Sequence, residues 1–234
     1  ALAEHCQVTA IDLNPASCLR TEWNAEVYGV RDRLQTRCAD VLALGELGGL
    51  VHIDPDRRVV TEGKASRIEN YVPGVPELLD LMSRCRGGAI KVGPASNFGG
   101  KFPNTEIELI SLSGECKEAT VWFGELAGSD PWRATVLPSG LTVSGNPLDH
   151  AAPIAAPGRY LFDPDPALVR SGLIDLVANE LDRSVDQVFG QVVVVAFGRQ
   201  HPMVVGHEIG GCPVVGPVEE AVEAVEAPPQ GPVL

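Results

Sequence analysis

An α/β fold on a mostly parallel, Rossmann-like sheet is predicted by three observations. Short apolar runs at residues 8–12, 34–38 and 50–53 each lead to an aspartate at or just beyond the run: Asp12, Asp40 and Asp54. A helix-like segment with its own start signal separates the first two runs. The resulting order of strand, helix, strand, short crossover and strand is that of parallel strands joined by right-handed connections. Ligands of open α/β sheets bind outside the carboxyl ends of the strands, so the three acids are predicted to face one crevice.

Residues 1–5 read as the last turn of a helix. Residues 6–13 form a short apolar run with β-branched Val8, Thr9 and Ile11, the pattern of a buried strand. Asn14 and Pro15 then give an N-cap and a proline at the first helical position. Ala16, Leu19, Trp23 and Val27 recur at three- and four-residue spacing, which predicts one apolar stripe lying against a sheet, and Gly29 ends the helix. Strands are predicted at 33–38 and 50–53. Residues 63–72 read as an excursion over the cleft and 76–85 as a helix carrying Leu78, Leu79, Leu81 and Met82. Gly87 and Gly88 are expected to break that helix before a strand at 89–92, and the Gly- and Pro-rich stretch 93–103 to be a loop. Residues 106–113 and 119–126 are predicted to be an antiparallel pair closing the sheet.

The texture changes at Arg133. Pro138-Ser139-Gly140 between two short runs signals a hairpin, residues 146–158 a Pro/Ala linker, 167–181 a helix and 192–197 a strand. A first domain is therefore expected over 1–128, a small α+β appendage over 132–207, and a disordered low-complexity tail over 213–234.

Composition excludes several classes. Of 234 residues, 44% are hydrophobic and 21% charged, and no apolar run approaches the roughly 20 residues that span a bilayer. Residues 1–6 lack a basic region and an apolar core, so no signal peptide is expected; the missing initiator Met points to a processed or excised product. The protein is therefore expected in the cytoplasm. Six scattered cysteines without a Cys-x-x-Cys pair, and histidines without ligand spacing, predict neither a disulfide framework nor a metal site. The net charge of −13 opposes non-specific binding of nucleic acid, yet Glu219, Glu220, Glu223 and Glu226 place much of the acid in the tail. Arg57, Arg58, Lys64 and Arg67 cluster just after the third strand, as a solvated basic turn or a phosphate-facing patch.

One aspartate after a strand is commonly a turn or helix-cap residue. Three in this order, Asp12, Asp40 and Asp54-Pro55, form a more specific pattern. Ile11-Asp12-Leu13-Asn14-Pro15, the 23–30 stretch Trp-Asn-Ala-Glu-Val-Tyr-Gly-Val, Arg37-Cys38-Ala39-Asp40-Val41 and His52-Ile53-Asp54-Pro55-Asp56-Arg57-Arg58 occur in sequence. Together with the 113–118 stretch Ser-Gly-Glu-Cys-Lys-Glu and the 160–166 segment, this set resembles class I S-adenosylmethionine-dependent methyltransferases. The likeness is greatest to bacterial members with a THUMP-like domain, and it covers roughly residues 6–200.

The resemblance implies that S-adenosylmethionine is the cofactor and RNA, a tRNA or rRNA base, the substrate, with the 132–207 appendage THUMP-like. Asp12 and Leu13 would meet the cofactor ribose, and Asp40 and Val41 its adenine. Asp54 and Pro55 would line the transfer site, Asp54 also beside the cofactor, with Arg57, Arg58 and Lys91 on the substrate side. Lys91 read from its position alone is equally a solvated lysine. Family members carry a glycine-rich loop after their first strand, where helix N-terminal amides meet the cofactor; no glycine precedes Gly29 here. Asp56 also replaces the proline-aromatic pair that clamps amine substrates in many N-methyltransferases.

Two other functions remain open from the residues: a non-catalytic remnant serving as a binding or scaffold module, and a nicotinamide-dependent dehydrogenase fragment. The second leaves the 54–58 stretch unexplained. Methylation at a pyrimidine C5 would need a thiolate, for which Cys85 and Cys116 are candidates, although burial as packing residues is the commoner use. Trp23 and Trp122 are expected in the core, and Tyr71 and Phe98, on cleft-side loops, are candidates for base stacking.

Overall fold

The computed structural model describes residues 1–56, 68–151 and 164–184. The chain divides into two compact units, residues 1–51 with 76–86 and residues 52–75 with 87 onward.

In the first unit β1 (Val8–Asp12) and β2 (Leu34–Cys38) pair in parallel, with Val8 opposite Leu34 and Asp12 opposite Cys38. Helix α1 (Pro15–Val27) starts as the sequence predicts: Asn14 Oδ1 accepts the amide of Ala16 at 2.9 Å and Pro15 takes the first helical position. Gly29, at φ +67°, ends it in a conformation that costs glycine little. The face that α1 buries differs from the predicted one. Trp23 is 56% and Val27 80% exposed, whereas Ala25 is buried. Cys18 donates to the carbonyl of Asp12 at 3.7 Å and Glu22 accepts from the Thr36 hydroxyl, so Cys18, Glu22 and Ala25 meet the strands. Polar contacts thus set the phase of α1 and leave the Leu19-Trp23-Val27 stripe in solvent.

Helix α2 (Val75–Ser83) buries Leu78 and Leu81. Arg84, just past its end, pairs with Asp80 at 2.9 Å, and its guanidinium also reaches the carbonyls of Leu42 and Leu44. Backbone bonds from Leu47 to Arg84 (3.0 Å) and from Arg86 to Gly49 (3.1 Å) anchor the 42–49 loop to the same helix end.

The larger sheet has six strands: β3 (Leu50–Ile53), β4 (Gly87–Val92), β5 (Thr105–Leu112), β6 (Glu115–Gly124), β7 (Trp132–Leu137) and β8 (Leu141–Gly145), in the order β3-β4-β6-β5-β7-β8. The division between units falls within β3. The expected antiparallel closing pair is β5 and β6, joined by a two-residue turn with Ser113 at φ 52° and Gly114 at φ 80°. Gly87 and Gly88 lie inside β4 rather than before it. A Cβ on Gly87 would stand 2.5 Å from the amide nitrogen of Glu125, so only glycine lets the strands approach.

The predicted hairpin is β7 and β8, but β7 also pairs in parallel with β5, Ile107 opposite Trp132 through Leu112 opposite Leu137. The position expected to open a separate appendage therefore continues this sheet. The helix predicted over 167–181 is two helices, α3 (Pro166–Ser171) and α4 (Ile174–Ser184), separated by Gly172 at φ +75°. Leu109, Val121, Ala134, Ala167 and Leu173 form the core between sheet and helices. The opposite face of β5 carries Glu106 and Glu108, both buried. Arg133 Nε lies 3.2 Å from the first and 3.3 Å from the second. The amide of Gly128 donates to Glu106, and Trp122 Nε1 and the Thr135 hydroxyl donate to Glu108. The 192–197 strand, the 213–234 tail and most of the linker expected over 146–158 lie outside the described residues.

Candidate functional site

Parallel pairing puts Asp12 and the residues after Cys38 at the same end of two adjacent strands. The amide of Ala39 donates to the carbonyl of Asp12 at 3.1 Å, and Asp40 follows directly. Both carboxylates are exposed and each holds one backbone amide: Asp12 Oδ1 accepts from Asn14 at 2.7 Å, and Asp40 Oδ1 from Leu42 at 2.9 Å. Asp40 is thereby the N-cap of the short helical turn Val41–Ala43, and Asp12 closes a turn on Asn14, itself the cap of α1. The second oxygen of each acid accepts no hydrogen bond from the described residues. Leu13 is exposed and Val41 half-buried beside them. Thr9, Ile11, Arg37 and the 43–47 loop line a cavity of about 410 Å³. It lies on the flank of the strand pair, and neither Asp12 nor Asp40 lines it.

In the second unit Asp54 leaves β3 exposed, while Pro55 is buried. Asp56 and Val72 exchange two backbone bonds of 2.8 and 3.0 Å, which fix the far end of this segment. Tyr71, next to that bridge, is 2% exposed. Its hydroxyl accepts the amide of Gly93 at 3.0 Å and lies 3.4 Å from the Ser96 hydroxyl. The Arg170 guanidinium donates to the carbonyls of Pro94 and Ser96 at 3.0 and 3.1 Å. The Asp54 segment is thereby tied to the loop leaving β4. This framework of Tyr71, Ser96 and Arg170 has no sequence signature, because it depends on contacts up to 76 positions apart.

The expectation that Tyr71 and Phe98 stack on a base is overturned. Tyr71 is spent on the loop amide, and Phe98, 6% exposed, packs edge-on against Trp132 with ring centroids 6.0 Å apart. Trp23 is likewise not core, whereas Trp122 is half-buried with its indole N–H on Glu108. Lys91, in β4 opposite Thr120, pairs with Glu118 at 3.0 Å. Arg57 and Arg58 lie outside the described residues. Burial, with the charge of Asp165, pushes the Cys116 thiol up, away from the thiolate a nucleophile needs, against a smaller opposing influence of Arg170. Cys85 donates to the carbonyls of Leu81 and Met82 at the end of α2. Among the described residues no three His, Cys, Asp or Glu side chains cluster as metal ligands, and no helix is long and apolar enough to cross a membrane.

Comparison with known proteins gives this geometry a context. Over 168 residues the chain is 33% identical to two uncharacterized S-adenosylmethionine-dependent methyltransferases of Mycobacterium tuberculosis, from strains CDC 1551 / Oshkosh and ATCC 25618 / H37Rv. The match takes in 70% of this chain and 45% of each relative, so the chain spans about half the length of the curated relatives it matches. A crystal structure from Porphyromonas gingivalis W83, provisionally described as a methyltransferase, superposes with a TM-score of 0.54 at 17% identity, covering 74% of this chain and 47% of that one. The chain has a mixed α/β, Rossmann-like fold. No protein-family model matches it.

Proposed function

We propose that the protein is an S-adenosylmethionine-dependent methyltransferase acting in the cytoplasm on a tRNA or rRNA base. One observation carries the reading: a parallel strand pair delivers Asp12 and Asp40 at the same end, both exposed, each with one oxygen anchored on an amide and the other without a hydrogen bond from the described residues. That pair of acceptors fits a nucleoside cofactor. An anchored carboxylate can accept from a ribose hydroxyl or an exocyclic amine without paying to order itself first. The names of the mycobacterial relatives support the same chemistry, and the sequence resemblance alone supports RNA.

When bound, S-adenosylmethionine supplies a methyl group on a sulfonium, open to in-line displacement. This chain's part is then orientation and charge. Asp12, with Leu13, holds the ribose; Asp40, with Val41, borders the adenine. Asp54, presented on a segment pinned by Pro55 burial and the Asp56–Val72 bridge, accepts a hydrogen bond from the group to be methylated. Arg57, Arg58 and Lys91 are assigned to substrate phosphates, Lys91 exchanging Glu118 for one of them. Within this reading residues 1–128 carry the transfer site, and the THUMP-like segment over 132–207 meets the RNA, its first hairpin shared with the sheet.

The test is transfer of a labelled methyl group from S-adenosylmethionine to fractionated cellular RNA and protein by the full-length gene product. Label in tRNA or rRNA is the expected result. Label confined to protein refutes the substrate, and binding of NAD in place of S-adenosylhomocysteine refutes the whole reading.

A further inference from the structure

The strand-end turn that presents Asp12 is backed by two thiols. Cys18, in the first turn of α1, donates to the carbonyl of Asp12 at 3.7 Å, and Cys38, the last residue of β2, donates to the next carbonyl, Leu13, at 3.5 Å. Cys38 is also the register partner of Asp12. The two sulfurs sit on successive carbonyls of one turn, and Cys38 is near enough to act on the Cys18 thiol. Cys38 is exposed and Cys18 half-buried, so a small reagent reaches the pair from solvent through Cys38. The remaining described cysteines have other surroundings: Cys6 donates to Leu2, Cys85 to the end of α2, and Cys116 sits in β6.

We infer that Cys18 and Cys38 are a reversible dithiol–disulfide site for small disulfides such as glutathione disulfide, placed to reshape the Asp12–Pro15 turn. Cys38, as thiolate, attacks one sulfur of the reagent, the reagent's S–S bond breaks and one glutathione leaves. Cys18 then loses its proton to solvent and attacks Cys38 Sγ, forming the protein S–S bond and expelling the second glutathione. Two protein thiols are oxidised and one small disulfide is reduced to two thiols. Burial and the neighbouring Cys38 and Asp12 charges hold the Cys18 thiol above the ordinary range, against a smaller opposing effect of its bond to Asp12, so the second step quickens as pH rises. Closing the bond draws the sulfurs to about 2.05 Å and strips both S–H donors from the carbonyls of Asp12 and Leu13. The bond itself stands independently of the methyltransferase reading; its effect on cofactor rests on that reading.

The experiment treats the full chain with glutathione disulfide, traps remaining thiols with N-ethylmaleimide and maps the peptides by mass. A Cys18–Cys38 cross-link that a dithiol reverses is expected, and Cys18→Ser should leave Cys38 as a stable glutathione adduct. A wild-type chain that keeps that adduct without closing, or that leaves both cysteines alkylated while Cys6 reacts, overturns the site. S-adenosylhomocysteine affinity is expected to fall several-fold in the oxidised form. A closed bond with unchanged affinity overturns the coupling to Asp12; absence of binding by either form counts against the methyltransferase reading and leaves the cross-link to be judged by mass alone.

Discussion

At Asp12 a single carboxylate serves two purposes. One oxygen organises the chain at Asn14, and the other is the one proposed to meet the cofactor. The sequence displayed this residue and its Asn14-Pro15 helix start because capping is local chemistry, written in consecutive residues. The fates of Tyr71, Phe98 and Trp23 were not legible, since whether an aromatic ring is buried depends on distant partners such as Gly93 and Trp132. Two predictions belong to single residues. Because burial disfavours its charged form, Cys116 should resist iodoacetamide at neutral pH and react only above the ordinary thiol range; mass-mapped alkylation against pH checks this, and fast labelling at pH 7 contradicts it. Arg133→Met removes the cation between Glu106 and Glu108 and strands two buried carboxylates. It should cost about 3 kcal/mol of stability in urea unfolding, and a loss below about 1 kcal/mol would mean the ion pair is slack.

Among the elements, the α1 start, the β5–β6 hairpin and the β7–β8 hairpin follow from caps, turns and alternation. What failed was phase and continuity. The stripe of α1 has helical spacing, yet Cys18, Glu22 and Ala25 meet the strands because polar contacts there outweigh weak amphipathicity. Gly87 and Gly88 looked like a break, and Gly172 did not; the difference lies in close strand approach at one and a left-handed φ at the other. Gly87→Ala tests the first point. Its Cβ meets the backbone of β6 and the residue after it, which cannot swing aside as a side chain can, so a loss of about 1–3 kcal/mol is expected. In a protein of this size that lowers Tm by roughly 2–12 °C, and an unchanged melting curve would contradict the close approach at Gly87.

For the molecule as a whole, strand order was only partly readable. Parallel β1 and β2 came from the strand–helix–strand pattern, whereas the pairing of β7 with β5 joins segments about 25 residues apart and carries no local mark. The acids divide accordingly: Asp12 and Asp40 belong to the first compact unit and Asp54 to the second. The proposed division of labour follows. Asp54→Ala should abolish methyl transfer while S-adenosylhomocysteine affinity changes less than about threefold, as for a group that acts in the transition state. A variant with full turnover removes Asp54 from the chemistry.

The central claim, that the second oxygen of Asp12 holds a nucleoside cofactor, is tested most directly by titrating S-adenosylhomocysteine into the full-length gene product and its Asp12→Asn variant. Asparagine keeps an acceptor for the Asn14 amide but loses the charge, so folding should persist while affinity falls about tenfold, or about 1.4 kcal/mol. Equal affinity in the two proteins would contradict the account.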